Sequence, residues 1–329
     1  MSRLRTAVVG VGALGRHHLR WLSQLPESQL VGLFDTDRDK ADRYADEYHV
    51  VAYKRLEDMV GAVDAVSVVV PTTAHFSVGS FLIEHGIHCL IEKPITPDLD
   101  EASALHHLAV RKGVKVTVGQ IERFNPAVIA LAGIHIRPSF IEAHRLAPFD
   151  PRGTDVAVVL DLMIHDIDLV LHLIKSDLVD IQASAVAVVS DQADIANARL
   201  TFANGAVANL TASRISLHAM RKLRIFQKSG YYSLDLAKKE ADLYQLAREG
   251  EGGDGFRVPL GKSGQDLLYR KVSDSGKDML GTELETFLTA VIDDRPVAVS
   301  LEDATAALKV ALDIQRIGLD SIQRMMAND

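Results

Sequence analysis

Cysteine is nearly absent from this chain of 329 residues, and so is any excess of positive charge. The single cysteine, Cys89, excludes an intramolecular disulfide framework and fits a reducing compartment. A net charge of −8 excludes the broad basic surface of a general nucleic-acid binder. There is no signal-peptide pattern and no apolar run long enough to span a membrane. We therefore expect a cytoplasmic protein with neither nucleic acid nor membrane as a partner.

The remaining composition is ordinary for a globular protein, with 47% hydrophobic and 24% charged residues. A chain of this length is expected to form about two domains. Strand and helix patterns alternate at first, whereas later strands are joined by hairpin signals such as Asn204-Gly205. We predict an α/β doubly wound parallel sheet in residues 1–121 and an open antiparallel sheet with helices in residues 122–329.

Glycines are concentrated near the start, in the stretch TAVVGVGALGR. The apolar run Leu4–Val9 predicts a strand, and His17–Leu22 predicts a helix. Between them Gly10, Gly12 and Gly15 form the pattern G-x-G-x-x-G, which is typical of dinucleotide-binding loops in this context. The glycines permit a tight turn, a close approach of the backbone to a pyrophosphate, and close helix packing. The alternative is a glycine-rich turn without a ligand.

A second apolar run, Gln29–Phe34, ends in Asp35, which is twenty residues past Gly15. An acidic side chain there accepts hydrogen bonds from a ribose 2′-OH and repels a 2′-phosphate. We therefore expect NAD rather than NADP as the cofactor, with Arg38 nearby as a group that can soften this preference. The alternative is a solvated loop acid.

Further strands are predicted at Ala65–Val70 and His88–Glu92, and ligands of such sheets bind beyond the carboxyl ends of the strands. The predicted cofactor-binding residues follow or lie at these ends: Gly10, Gly12, Ala13, Leu14, Gly15, Asp35, Pro71, Glu92 and Lys93. Lys93 can hold a substrate hydroxyl. Pro94 fixes the backbone after it, and the Lys93–Pro94 peptide bond can be either cis or trans. A surface lysine at a strand end is the alternative.

The segment DLMIHDIDL lies in a helix predicted over Val156–Leu173. On an α-helix Asp161, His165 and Asp168 share one face within an apolar surrounding. Histidine is suited to proton abstraction near neutral pH, so His165 is a candidate base and Asp161 a candidate orienting group. The alternatives are a structural histidine and a metal site, but nothing else in the sequence completes a ligand set.

Arginines are candidates for binding a phosphorylated substrate, because a guanidinium pairs with phosphate in a bidentate way. Arg123 lies in the stretch ERFNP, which is separated by two residues from a further predicted strand, Val114–Gly119. The other candidates are Arg145, Arg152 and Arg214. Ordinary ion pairs are the alternative for all of them.

On these motifs the chain resembles the Gfo/Idh/MocA oxidoreductases along essentially its full length. The matching features are GVGALG, Asp35, Pro71, Glu92-Lys93-Pro94 and Asp161-x-x-x-His165. The resemblance implies an N-terminal Rossmann domain and a C-terminal open sheet that forms homodimers or homotetramers. It also implies that Lys93, Asp161 and His165 line a sugar or cyclitol site beside the nicotinamide.

Within the family, the ERFNP and DLMIHDID stretches resemble the branch that acts on nucleotide sugars. This implies NAD-dependent oxidation of a sugar hydroxyl to a ketone, expected at C3 of UDP-N-acetylglucosamine, for amino-sugar synthesis in envelope polysaccharide or lipid A. The residues expected to bind the substrate are Arg123, Asn125, Asp161, His165 and Arg214. Two alternatives stay open: a dehydrogenase of a free sugar or inositol, and a non-catalytic NAD-binding sensor.

Overall fold

The computed structural model describes residues 3–150, 156–246, 255–260, 266–274 and 276–326. The chain divides into two compact units, one of residues 1–124 with 277–308 and one of residues 125–276 with 309–329. The domain boundary expected between residues 121 and 122 stays a prediction. In the structure, however, the stretch 277–308 groups with the first unit.

The first unit contains a parallel sheet of six strands in the order β3-β2-β1-β4-β5-β6. Its strands are β1 (Leu4–Val9), β2 (Ser28–Phe34), β3 (Val51–Ala52), β4 (Ala65–Val68), β5 (His88–Glu92) and β6 (Val116–Gly119). The helices between them are α1 (Gly15–Leu22), α2 (Arg38–Tyr48), α3 (His75–Glu84) and α4 (Leu99–Lys112). This strand order is that of a Rossmann fold, which confirms the predicted doubly wound sheet.

Local sequence accounts for the ends of these elements. Asp98 directly precedes a helical run, a pattern that predicts a helix cap. Its carboxylate accepts a hydrogen bond from the Glu101 N–H at 2.9 Å and caps α4, which confirms this prediction. The same helix ends at Gly113, whose φ of +64° is open to glycine at little cost. All residues of β4 and β6 are buried, which explains their continuous apolar and β-branched runs.

Helix α7 (Met279–Ile292) belongs to the first unit because its apolar stripe joins that unit's core. Leu284, Phe287 and Leu288 lie in one buried cluster with Leu19 and Leu22 of α1. Its Gly281 faces the Trp21 ring, where a Cβ would lie only 2.9–3.1 Å from ring atoms. The spacing of Leu284, Phe287 and Leu288 predicts an apolar stripe on a helix, but it does not predict that this stripe packs in the first unit.

The second unit contains a nine-stranded sheet in the order β14-β15-β13-β12-β11-β7-β10-β9-β8. Its strands are β7 (Phe140–Leu146), β8 (Leu178–Val186), β9 (Ile195–Phe202), β10 (Val207–Ser213), β11 (Met220–Gln227), β12 (Gly230–Asp235), β13 (Glu240–Leu246), β14 (Phe256–Pro259) and β15 (Asp266–Val272). The predicted antiparallel sheet is correct for most pairs, but β7 and β10 pair in parallel. Strand β14 pairs with β15 in antiparallel fashion, with Phe256 opposite Tyr269 and Pro259 opposite Asp266.

The remaining helices are α5 (Pro126–Ile129), α6 (Ile164–Ile174) and α8 (Leu301–Met326). Ser300 with Asp303 three residues later predicts a helix start, and the helical pattern after it predicts an end near Leu319. The Ser300 hydroxyl accepts a hydrogen bond from the Asp303 N–H at 3.1 Å, which confirms this start, but α8 continues to Met326. Within the ranges given above, no helix combines the length and the apolar character needed to cross a membrane.

We predict that Leu284→Ala lowers the free energy of unfolding by about 2–5 kcal/mol, because a fully buried leucine leaves a cavity. Urea denaturation followed by circular dichroism measures this loss. Leu319→Ala is the control: that side chain is 37% exposed, so its change is expected to stay within about 0.5 kcal/mol. Equal losses in the two variants would contradict the assignment of α7 to the core.

Candidate active site

The carboxyl ends of the parallel strands meet at one edge of the first unit's sheet. Val9, the last residue of β1, pairs with both Phe34 and Val68, which end β2 and β4. In Rossmann folds this edge is where dinucleotides bind. The residues that directly follow strand ends here include Gly10, Asp35, Lys93 and Gln120.

The glycine loop is built by contacts that side chains would prevent. Gly10 has a φ of +88°, and a Cβ on it would overlap the carbonyl of Val69. A Cβ on Gly15 would in turn overlap the carbonyl oxygen of Gly10. These two glycines therefore shape the turn and let α1 start directly against it, as the motif predicted.

Gly12 differs from these two glycines because nothing lies within 4 Å of the position of its Cβ. The space beside the exposed loop residues Gly12, Ala13 and Leu14 is open. No side chain caps the start of α1, so no side chain competes with an anion for its first turn. This part of the chain therefore fits the pyrophosphate of a dinucleotide.

The Asp35 carboxylate ties the glycine loop to the end of β2. One oxygen accepts a hydrogen bond from the Val11 N–H at 2.8 Å, and the other accepts one from the Asp37 N–H at 2.9 Å. The sequence predicted a ribose contact for Asp35 but not this link to the loop. The contact with ribose stays a prediction, and it is compatible with these bonds because each carboxylate oxygen has a second lone pair.

Arg38 and Pro71 flank this region. The Arg38 guanidinium donates to the Tyr53 carbonyl and to Asp42, each at 2.7 Å, so it already has partners away from Asp35. Strand β4 ends at Val68, two residues earlier than predicted, and exposed Pro71 precedes a short 3₁₀ turn. The predicted cofactor contact of Pro71 stays a prediction.

Glu92 ends β5 and Lys93 follows it, and the Lys93–Pro94 peptide bond is cis. Glu92 accepts hydrogen bonds from His18 Nε2 at 3.1 Å and from the Lys93 N–H at 3.3 Å. Burial raises the pKa of the Glu92 carboxyl, but the hydrogen bond from His18 and the other favourable contacts outweigh burial, so the pKa lies below its ordinary value. Glu92 is therefore a carboxylate at neutral pH.

In the second unit, Asp161 does not lie on a regular α-helix. Val159–Met163 forms a π-helical turn, and α6 begins only at Ile164. The prediction of a regular α-helix was therefore wrong at Asp161, because a π turn contains an extra residue. That Asp161, His165 and Asp168 share one face stays a prediction. Asp161 and His165 are half-buried, whereas Asp168 is 1% exposed.

Arg145 and Arg214 lie in the interior of the second unit. Arg145 makes a bidentate pair with Asp166 at 2.9 and 2.7 Å, and both side chains are 3% exposed. Arg214 is 6% exposed and donates to the carbonyls of Val156 and Ala193. These contacts hold the start of the π turn and α6 against the sheet. Arg152 lies outside the described residues.

Arg123 and Asn125 also have partners within their own units. Arg123 donates to Asp303 at 3.0 Å and to the Ala298 carbonyl at 3.3 Å. Asn125 is fully buried, caps α5, and donates to the Leu236 carbonyl at 2.9 Å. The substrate contacts predicted for Arg123, Asn125 and Arg214 stay predictions. In the described ranges, no three His, Cys, Asp or Glu side chains are arranged to hold a metal ion.

Comparison with known proteins decides the family. The profile "Oxidoreductase family, NAD-binding Rossmann fold" matches residues 4–120, and the Gfo/Idh/MocA C-terminal domain matches residues 138–233. A UDP-N-acetylglucosamine 3-dehydrogenase from Acidithiobacillus ferrooxidans is 40% identical over 96% of this chain and 97% of its own length. The chain belongs to the Gfo/Idh/MocA family. It is thus an oxidoreductase whose first unit binds NAD.

The chain is also similar to solved structures and to further relatives. The solved structure of UDP-N-acetylglucosamine 3-dehydrogenase GnnA from A. ferrooxidans has a TM-score of 0.87 at 37% identity, covering 98% of this chain and 99% of the other. A scyllo-inositol 2-dehydrogenase from Bacillus subtilis is 27% identical over 65% of this chain and 68% of its own. These similarities confirm the resemblance inferred from the motifs.

We predict that Gly12→Val weakens NAD binding by at least about tenfold, or ~1.4 kcal/mol, because its side chain would enter the open space beside the loop. The melting temperature is expected to stay unchanged, since no atom lies within 4 Å of the Cβ position. Isothermal titration calorimetry measures the NAD affinity. The control is Ala104→Val, at an exposed position of α4. Normal NAD affinity in Gly12→Val would mean that the loop does not hold the pyrophosphate.

We predict that the protein binds NAD at least about tenfold more tightly than NADP, because a carboxylate at Asp35 repels a 2′-phosphate. Asp35→Asn removes the charge but retains an oxygen that can accept from the Val11 N–H. This variant should therefore narrow the preference while keeping the loop in place. Titration with both cofactors tests this, with Asp39→Asn as the control. An unchanged ratio in Asp35→Asn would contradict the role of this residue.

Proposed function

We propose that this protein oxidises the C3 hydroxyl of UDP-N-acetylglucosamine to a ketone, with NAD as the cofactor. The proposal rests on the 40% identity to an enzyme of that name along almost the full length of both chains. The inositol dehydrogenases are similar over a smaller part of the chain, for example 65% for the B. subtilis enzyme. A ketone at C3 is a suitable precursor for an amino sugar, so we place the reaction in envelope polysaccharide or lipid A synthesis.

The proposed roles follow from the chemistry of the residue types. NAD, when bound, accepts the hydride that leaves the carbinol carbon. Lys93 holds the oxygen of the reacting hydroxyl, and His165 takes its proton, since imidazole is a suitable base near neutral pH. Asp161 orients these groups. The half-buried positions of Lys93, Asp161 and His165 are compatible with contact to a substrate.

Three of the arginines that the sequence offers as diphosphate ligands already have partners within the protein, so they do not by themselves favour a diphosphate. Arg145 and Arg214 are buried in contacts within the second unit, and Arg123 pairs with Asp303. The choice between a nucleotide sugar and a free sugar therefore needs a direct comparison. We expect NADH formation with UDP-N-acetylglucosamine, using a ketone trap to draw the equilibrium forward, and none with N-acetylglucosamine or myo-inositol. The reverse pattern would contradict the proposal and favour the free-sugar alternative.

We predict that Lys93→Ala and His165→Ala each lower kcat by about 10²–10⁴-fold, because a positioned acid or base typically contributes that much. NAD affinity, measured separately, should be retained in His165→Ala. Lys93 is itself a predicted cofactor contact, so kcat of Lys93→Ala is measured at saturating NAD. The controls are Lys54→Ala and His107→Ala, which remove exposed side chains of the same types. Normal turnover by His165→Ala would show that the base lies elsewhere, and loss of NAD binding would indicate a folding defect instead.

We further propose that the open face of the second unit's sheet forms a homodimer or homotetramer interface. Five half-buried aromatic side chains form a row across this sheet, and the ring centroids of neighbours lie 4.8–5.9 Å apart. They lie on β7, β11, β12, β13 and β15 and are Phe140, Phe226, Tyr231, Tyr244 and Tyr269. Aromatic side chains are enriched at the centres of protein interfaces. Location in the cytoplasm stays a prediction.

Tyr231→Glu tests this interface by placing a charge in the middle of the aromatic row. We expect light scattering to show a smaller assembly than for the unchanged protein, since an unpaired charge is costly at an interface core. Val110→Glu, at an apolar side chain that is 68% exposed on α4, is the control and should leave the mass unchanged. A monomeric wild-type protein would contradict the proposal.

A further inference from the structure

Two buried histidines contact the residues on either side of Lys93. His18 of α1 and His75 at the start of α3 are each 1% exposed. His18 Nε2 lies 3.1 Å from Glu92 Oε1, and His75 Nδ1 lies 2.9 Å from the Pro94 carbonyl oxygen. The chain neighbours of the lysine are thus held from two different helices.

The contact on the Glu92 side is specific to one ring nitrogen. Because Glu92 is a carboxylate, the hydrogen of the His18 ring must be on Nε2 to donate to it. His18 Nδ1 is buried and has no hydrogen-bond partner among the described residues. Gly119 on β6 leaves room for this carboxylate, since a Cβ there would lie 2.9–3.1 Å from its atoms.

The contact on the Pro94 side uses the opposite ring nitrogen. His75 Nδ1 faces the Pro94 carbonyl, while Nε2 lies 3.0 Å from the Val70 carbonyl. Val70 packs against the glycine loop, where its Cγ1 lies 3.0 Å from the Cβ position of Gly10. Both partners are carbonyl oxygens, which only accept, so a neutral His75 with its single N–H donates to one of them. Donation to the Pro94 carbonyl, with the hydrogen on Nδ1, is the contact that holds the backbone after Lys93.

We propose that His18 and His75 are positioning residues for Lys93, His18 acting through Glu92 and His75 through the Pro94 carbonyl. This inference rests on the proposed function of Lys93. Both histidines are remote in sequence from the lysine, and their contacts fix the backbone on each side of it. A catalytic group displaced by about 1 Å can lose 10²-fold in rate, so this bracing matters for turnover.

The two positions make opposite demands on an amide replacement. Glutamine places its amide nitrogen near the position of a histidine Nε2, whereas asparagine places it near Nδ1. His18→Gln and His75→Asn therefore keep the bond that braces Lys93. His18→Asn lacks a donor facing Glu92, and His75→Gln lacks a donor facing the Pro94 carbonyl. His75→Gln still places its amide nitrogen towards the Val70 carbonyl.

The experiment measures kcat, KM and NAD affinity for these four variants with UDP-N-acetylglucosamine, and determines the crystal structure of each. We expect His18→Asn and His75→Gln to lower kcat by about 10–100-fold with NAD affinity retained, and to displace the Lys93 backbone. His18→Gln and His75→Asn should retain most of kcat and keep Lys93 in place.

A purely structural role predicts a different pattern. If only side-chain size and stability matter, the two glutamines should behave alike, the two asparagines should behave alike, and kcat should follow the melting temperature. That result, or an unmoved Lys93 in all four structures, would overturn the inference. Lys93→Ala is measured in parallel, and full activity of this variant would overturn the proposed function of Lys93. If Lys93→Ala is inactive but His18→Asn and His75→Gln are as active as His18→Gln and His75→Asn, only this inference is overturned.

Discussion

The contact between Gly15 and the carbonyl of Gly10 is the constraint on which the cofactor region depends. No other residue fits at Gly15, since a Cβ would overlap that carbonyl, and the contact allows α1 to begin directly after the turn. The Asp35 carboxylate then holds the same loop through the Val11 N–H at 2.8 Å. The glycine loop, Asp35 and the end of β5 all lie at the carboxyl edge of the parallel sheet. This is the edge at which Rossmann folds bind dinucleotides.

The first unit was predictable because its local and long-range signals agree. Buried parallel strands read as continuous apolar runs, as in His88–Glu92, and the glycine spacing at Gly10–Gly15 identifies the turn between β1 and α1. The cap at Asp98 and the start of α8 at Ser300 were visible for the same reason. Hydrogen-bonding side chains at helix starts act within a few residues, so a single sequence reveals them.

Other features depend on contacts between distant parts of the chain. The placement of α7 with the first unit follows from Leu284 and Phe287 meeting α1, about 260 residues earlier in the sequence. The π turn at Val159–Met163 leaves no pattern that periodicity can detect. Arg145 was predicted as a phosphate ligand because sequence spacing does not show Asp166 beside it. His18 and His75 were missed as positioning residues because sequence spacing does not show that they lie beside Glu92 and Pro94.

The central claim is that this family member removes hydrogen from C3 of a nucleotide sugar with NAD as acceptor. Incubation with NAD and UDP-N-acetylglucosamine deuterated at C3, followed by mass spectrometry of both products, tests it most directly. We expect the deuterium in the recovered NADH and a ketone at C3 of the sugar. Deuterium retained at C3 while NADH forms would place the oxidation at another carbon and contradict the claim.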